Sequence, residues 1–147
     1  MIGSLLYDCK FLLVENNVTA GQATTVGEII DTAGFGGACF IYKLGTVVDA
    51  AAITLTIYSG TDAAVSDVAA LSGATAVVAT TSSDGEQLLI VDVKKPLERY
   101  LRPTIVTAMQ NVEIDSAICI LYNPDVLPVT QTSFVDVDTQ VISPAEA

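Results

Sequence analysis

Ile53-Thr54-Leu55-Thr56-Ile57-Tyr58 alternates without a break, with Ile53, Leu55 and Ile57 on one side and Thr54, Thr56 and Tyr58 on the other. A repeat of two, rich in β-branched residues and closed by Ser59-Gly60, predicts a half-buried β-strand. Similar runs recur along the chain. Phe11–Val14 ends at Asn16-Asn17, Val26–Thr32 ends before Gly34-Phe35-Gly36-Gly37, and Ala38–Leu44 ends at Gly45. Ala74–Thr80 runs into Ser82-Ser83-Asp84-Gly85, a hairpin signal, and is followed by Glu86–Val93, Thr104–Met109 and Glu113–Tyr122, the last two joined at Gln110-Asn111. About eight short strands with Gly, Asn and Asp punctuation predict an all-β fold, an antiparallel β-sandwich, jelly roll or barrel.

One segment departs from that period. In Asp62–Leu71, Thr61 or Asp62 can cap, Val65, Val68 and Leu71 share a helical face, and Gly73 can stop the turn. That spacing predicts one short helix over an end of the sandwich. Beyond Pro124 the pattern changes again, with Leu127-Pro128, a polar run Thr130–Ser133, and no Lys or Arg after Arg102. Proline keeps this stretch out of a central strand. The expected organisation is a sandwich over residues 1–124, N-terminal segment included, and an extended C-terminal arm over 125–147.

Two strands are apolar on both faces. Gln87–Val93 carries Leu89, Val91 and Val93 on one side and Leu88 and Ile90 on the other, and Ala117–Tyr122 has no polar side. A sheet with one wet face alternates instead. Either another part of the chain covers these strands or a second subunit does, and the expectation is a homo-oligomer.

Composition sharpens this. Of 147 residues 51% are hydrophobic and only 16% charged, and 6 Lys+Arg against 17 Asp+Glu leave a net charge of −11. Mean hydropathy is +0.55 and the pI is near 4.1. That much apolar surface excludes a disordered chain, and the scarcity of cations speaks against a nucleic-acid partner. No basic n-region opens the chain and no apolar run is long enough to span a bilayer, so neither a signal peptide nor a membrane partner is expected. Cys9, Cys39 and Cys119, odd in number and widely spaced, read as reduced thiols made in a cytoplasm.

Candidate chemistry is sparse. The chain has no His and no Trp, so no Ser or Cys triad can be assembled. Gly34–Gly37 lacks the Lys-Ser/Thr of a phosphate loop and reads as a hairpin loop joining two strands, and Glu113 with Asp115 or Asp136 with Asp138 falls short of a calcium loop. No catalytic residue, metal site or cofactor is expected, and an enzyme is not.

The basic residues concentrate instead in Lys94–Arg102, where Lys94, Lys95, Arg99 and Arg102 are four of the chain's six cations. Two readings stand: internal pairing with neighbouring carboxylates, or a partner interface of Lys94, Lys95, Arg99, Tyr100 and Arg102, in which arginine forks take partner carboxylates and Tyr100 anchors.

This stretch carries a resemblance. Lys95-Pro96-Leu97-Glu98-Arg99-Tyr100-Leu101-Arg102, the hairpin Gln110-Asn111-Val112-Glu113-Ile114-Asp115 and the strand Ile120-Leu121-Tyr122 resemble the head decoration (cement) proteins of tailed bacteriophages, over about residues 25–124. Leu44–Asp49 and Ile57–Asp62 followed by Val65–Val68 are similar as well, while Val112 stands where the family pattern has Ala. The resemblance implies a jelly-roll module, often trimeric, on the outer surface of the capsid. Its partners would be copies of itself and the major capsid protein, its place the virion, and its role stabilisation of the mature head. The arm after Pro124 has no counterpart in that pattern. Other roles left open are a tail or head–tail component and a receptor- or carbohydrate-binding module. The low aromatic content, 6% with no Trp, weighs against a sugar platform.

Overall fold

The computed structural model describes residues 3–65, 69–79, 86–136 and 139. It consists of a four-residue helix, α1 (Leu5–Asp8), and ten strands: β1 (Lys10–Glu15), β2 (Val18–Gly21), β3 (Thr24–Val26), β4 (Ile30–Asp31), β5 (Phe35–Val47), β6 (Ala52–Gly60), β7 (Ala69–Ala79), β8 (Leu88–Lys94), β9 (Tyr100–Ala108) and β10 (Val112–Pro124). Every pairing is antiparallel. One sheet, here sheet A, has the order β1-β10-β5-β8 with β2 also on β10; the other, sheet B, has β3-β9-β6-β7 with β4 also on β9. The chain thus crosses to sheet B after β2, returns for β5, makes the β6–β7 hairpin in sheet B, returns for β8, and crosses again on each side of β9. Two interlocked Greek keys of this kind make a jelly roll, so the expected all-β sandwich is the observed fold.

The core lies between the sheets, where alternate positions meet. Ala38, Phe40, Tyr42 and Leu44 of β5 and Ala117, Cys119 and Leu121 of β10 face Ile53, Leu55 and Ile57 of β6 and Leu101 and Ile105 of β9, all buried. Each large aliphatic side chain so buried contributes about 1.5–3 kcal/mol. Among the described residues no helix is long and apolar enough to cross a membrane.

Three expectations need correction. The helix predicted over Asp62–Leu71 is not there. The Asp62 carboxylate accepts from the Ala64 N–H and its carbonyl from the Val65 N–H. Ala69 and Ala70 then pair with Ser59 and Tyr58 at the start of β7. Ser66–Val68 lie outside the described residues, as does the predicted turn Ser82–Gly85. Ladder pairing with β6 overrides the local helical preference of an Ala-rich run, and the short helix stands at Leu5–Asp8 instead. Secondly, the predicted strand Val26–Thr32 is split into β3 and β4. At Gly27 a Cβ would lie 2.8 Å from Val14, 2.9 Å from Pro103 and 3.0 Å from the Tyr42 hydroxyl, so the backbone drops onto the core there. Thirdly, Gly34–Gly37 is not a loop throughout: Gly34 turns with φ +84°, and Gly36 and Gly37 already belong to β5.

Candidate functional site

Among the described residues, the outward positions of sheet A form a broad apolar surface. Register places Leu13, Ile118, Ile41 and Ile90 in one row across β1, β10, β5 and β8, and Phe11, Ile120, Cys39 and Asp92 in the next. Their alternate neighbours point into the core, so these side chains point away from it. Ile90 is 53% exposed and Leu88 56%, while the Phe11, Leu13, Ile41, Ile118 and Ile120 positions are half-buried by one another. The two strands flagged as apolar on both faces, β8 and β10, therefore present their second apolar face outward.

A polar frame borders this surface. Tyr122 reaches across β5 to donate from its hydroxyl to Asp92 Oδ1 on β8 at 2.7 Å. Gly37, which pairs with Tyr122, lies beneath the ring, and a Cβ there would collide with it. Burial, and after it the bond to Asp92, pushes the Tyr122 phenol up to about 12. At the other side Lys43 Nζ donates to Asp115 Oδ2 at 2.7 Å, which holds the lysine above its usual range. Glu113 and Asp115 do share a face, over Gly45, but Asp115 is engaged by Lys43 and Glu113 accepts from the Asn17 amide at 3.5 Å. Asp136 is exposed, and Asp138 lies outside the described residues.

The basic segment does not form one patch. It crosses from sheet A to sheet B at one end of the sandwich. Lys94 ends β8 on the outward face of sheet A. Lys95 adopts φ +55° and donates its N–H to the Gly36 carbonyl at 2.8 Å. Leu97, at the tip, is 94% exposed. Arg99 grips Asp31 with both ends of its fork, Nε to Oδ1 and Nη2 to Oδ2 at 2.8 Å each, and stacks 5.1 Å from the Tyr100 ring. The arginine hydrogen bond holds the Asp31 carboxyl below its usual range. Arg102 lies on the outward side of sheet B, 5.6 Å from the Tyr58 ring. Internal pairing thus describes Arg99, whereas Lys94, Lys95 and Arg102 form no ion pair among the described residues.

The three thiols are free: Cys9 and Cys119 are buried and Cys39 lies half-buried in the outward apolar row. Burial raises all three above the usual thiol range. Sequence reasoning missed the arm's anchorage. The Gln131 carboxamide bonds the Phe11 N–H and the Leu6 and Cys9 carbonyls. A polar Thr-Gln-Thr run between prolines carries no periodic signal that would reveal such a seat.

No protein-family model and no curated protein matches the chain. Among solved structures, a chain from Bacillus endospore appendages, described as a novel family of disulfide-linked pili, is similar with TM-score 0.49 and 20% identity, over 80% of this chain and 89% of that one. A chain of infectious bursal disease virus, Gt strain, is similar with TM-score 0.44 and 11% identity. That match covers 82% of this chain and 34% of the viral one. Both are similarities of chain trace at low sequence identity.

Proposed function

We propose that the chain is a structural subunit of a virion, a capsid decoration protein that acts by binding and not by chemistry. It associates with copies of itself through the outward face of sheet A and docks as a homotrimer on the outside of the mature phage head. The observation that carries this reading is the apolar row Leu13–Ile118–Ile41–Ile90 on a rigid jelly roll. A protein with so few charges would leave such a face to water only at the cost of aggregation, and a matching subunit removes it. The resemblance of Lys95–Arg102, Gln110–Asp115 and Ile120–Tyr122 to the head decoration proteins supports the finer assignment, and these segments form the β8–β9 connection with the start of β9, the β9–β10 turn with the start of β10, and the later part of β10. Binding to the assembled lattice and not to free capsid subunits would stabilise the shell by mass action.

The test is direct. Purified protein is added to expanded heads that lack it, and bound copies and the thermal midpoint of the heads are measured. Stoichiometric binding across the surface with a raised midpoint is expected. Binding at a few copies per head, or an unchanged midpoint, overturns the decoration reading. Sedimentation equilibrium of the free protein tests the trimer separately.

A further inference from the structure

The β1 edge of sheet A holds an occupant. β1 pairs on one side with β10, and the backbone groups of an edge strand otherwise face outward as a template for another strand. Here they meet the C-terminal arm. Gln131 Nε2 donates to the Cys9 carbonyl at 2.8 Å, and Gln131 Oε1 accepts from the Phe11 N–H at 3.1 Å. Thr132 Oγ1 donates to the Phe11 carbonyl at 3.2 Å. In a parallel ladder the residue opposite Lys10 would donate to the Cys9 carbonyl and accept from the Phe11 N–H, and the residue two further on would donate to the Phe11 carbonyl. The carboxamide of Gln131 stands in for the first peptide group and the hydroxyl of Thr132 for the second. The direction agrees. The Val129 N–H bonds the Tyr7 carbonyl before β1 begins, and Phe134 reaches the cleft beside Leu13 and Asn16 towards its end.

We propose that the outer edge of β1 is a docking site for an extended segment running parallel to it, and that its occupant is the C-terminal arm, exchangeable with the same arm of a second copy. Three features favour exchange. The hydrogen bonds to β1 itself come from two adjacent side chains of the arm, so a segment from another chain can make them unchanged. The arm leaves β10 at the end of the sandwich where β1 starts, so an arm entering from a neighbour at that end also runs parallel. Extended, residues 125–136 reach up to about 40 Å, about twice the length of a six-residue strand. Exchange of identical contacts between copies forfeits none of them. This edge is separate from the outward face of sheet A, so its fate does not decide the shell reading.

The experiment uses the full chain and a fluorescent peptide of residues 125–136, with binding followed by anisotropy and the Phe11 amide by hydrogen exchange. Gln131→Ala in the chain loosens its own arm. The peptide is expected to bind that variant at least about tenfold more tightly than the unaltered chain, given the hydrogen bonds released, and to slow the accelerated Phe11 exchange. A peptide carrying Gln131→Ala is expected not to bind. Thr132→Val, which removes one bond, serves as the recipient if Gln131→Ala does not fold. A folded recipient that leaves the peptide unbound, or a Phe11 amide that the peptide does not protect, overturns the proposal and makes the arm a fixed strap of its own chain.

Discussion

The two sheets of this jelly roll share one core but differ on their outer faces. Sheet A sets Leu13, Ile118, Ile41 and Ile90 in a row, whereas sheet B sets Thr24, Val106 and Thr54 in one row and Val26, Thr104 and Thr56 in the next. Both choices fit a pleated surface, because threonine, valine and isoleucine are all β-branched. Strand propensity therefore cannot account for the difference. A hydroxyl in place of a methyl group keeps the strand and lowers the gain from covering it, so a partner gains less on sheet B than on sheet A. The polar devices follow the same division. On sheet A they frame the apolar rows, through Tyr122–Asp92 and Lys43–Asp115, while on sheet B Arg102 lies over Tyr58 on the face itself.

The largest effect expected is on association through sheet A. Ile90→Asp places a charge in the row at a position already 53% exposed, so folding stability should move by no more than about 0.5 kcal/mol. Association should weaken by at least about 30-fold, the loss of an anchor worth about 2 kcal/mol. Thr54→Asp is the matched change on sheet B and should leave the oligomer intact. Sedimentation equilibrium on both variants decides it; equal effects would erase the distinction between the faces.

Next in size is the frame of sheet A. Gly37→Ala drives a methyl group into the Tyr122 ring and removes its reach to Asp92. Urea unfolding should register a loss of about 1–3 kcal/mol. Tyr122→Ser clears the space, so the double variant should be more stable than the sum of the two single losses allows. Simple additivity would mean that the ring does not depend on the glycine. A smaller change converts sheet B towards sheet A: Thr54→Val with Thr56→Val adds about 0.8 kcal/mol of apolar gain per methyl-sized group. The strand should hold, and new concentration-dependent association should appear by light scattering. Its absence would show that the pattern of sheet A, and not its apolarity, is what a partner reads.

Much of this contrast is legible in the sequence, since Ile53–Tyr58 separates core from threonine by alternation and Gln87–Val93 and Ala117–Tyr122 fail to alternate. What stays hidden depends on neighbours distant in the chain. Nothing local at Gly27 tells that Val14, Pro103 and Tyr42 crowd beneath it and divide a strand in two. The Asp62–Leu71 run carries good helical spacing, yet its second half is claimed by a ladder with β6. The basic segment reads as a cluster because charge is counted along the chain, whereas the turn into β9 sends Lys94 and Arg102 to different sheets. The Asp31 partner of Arg99 is 68 residues away, beyond the reach of any spacing argument.

The smallest effect expected concerns that same turn, which joins the rims of both faces. Asp31 has an ordinary value of 3.8 and is held lower in the folded chain, first by the hydrogen bond from Arg99 and then, against the opposing pull of burial, by the Ala33 N–H and the charges of Arg99 and Lys10. A carboxyl with a depressed folded value binds protons more readily when unfolded. Its stabilisation is therefore complete above 3.8 and drains away as pH falls through the lower folded value. Asp31→Asn should lower the thermal midpoint slightly and by a constant amount between about pH 7 and pH 5, with the two curves converging on further acidification. Because both partners are exposed, salt should shrink the gap as well. No gap at any pH would mean that Asp31 holds the turn through its bond to the Ala33 N–H, which asparagine can also accept, and not through the arginine. In that case the crossing between the faces is fixed by backbone geometry, and charge at Arg99 is free to serve a partner.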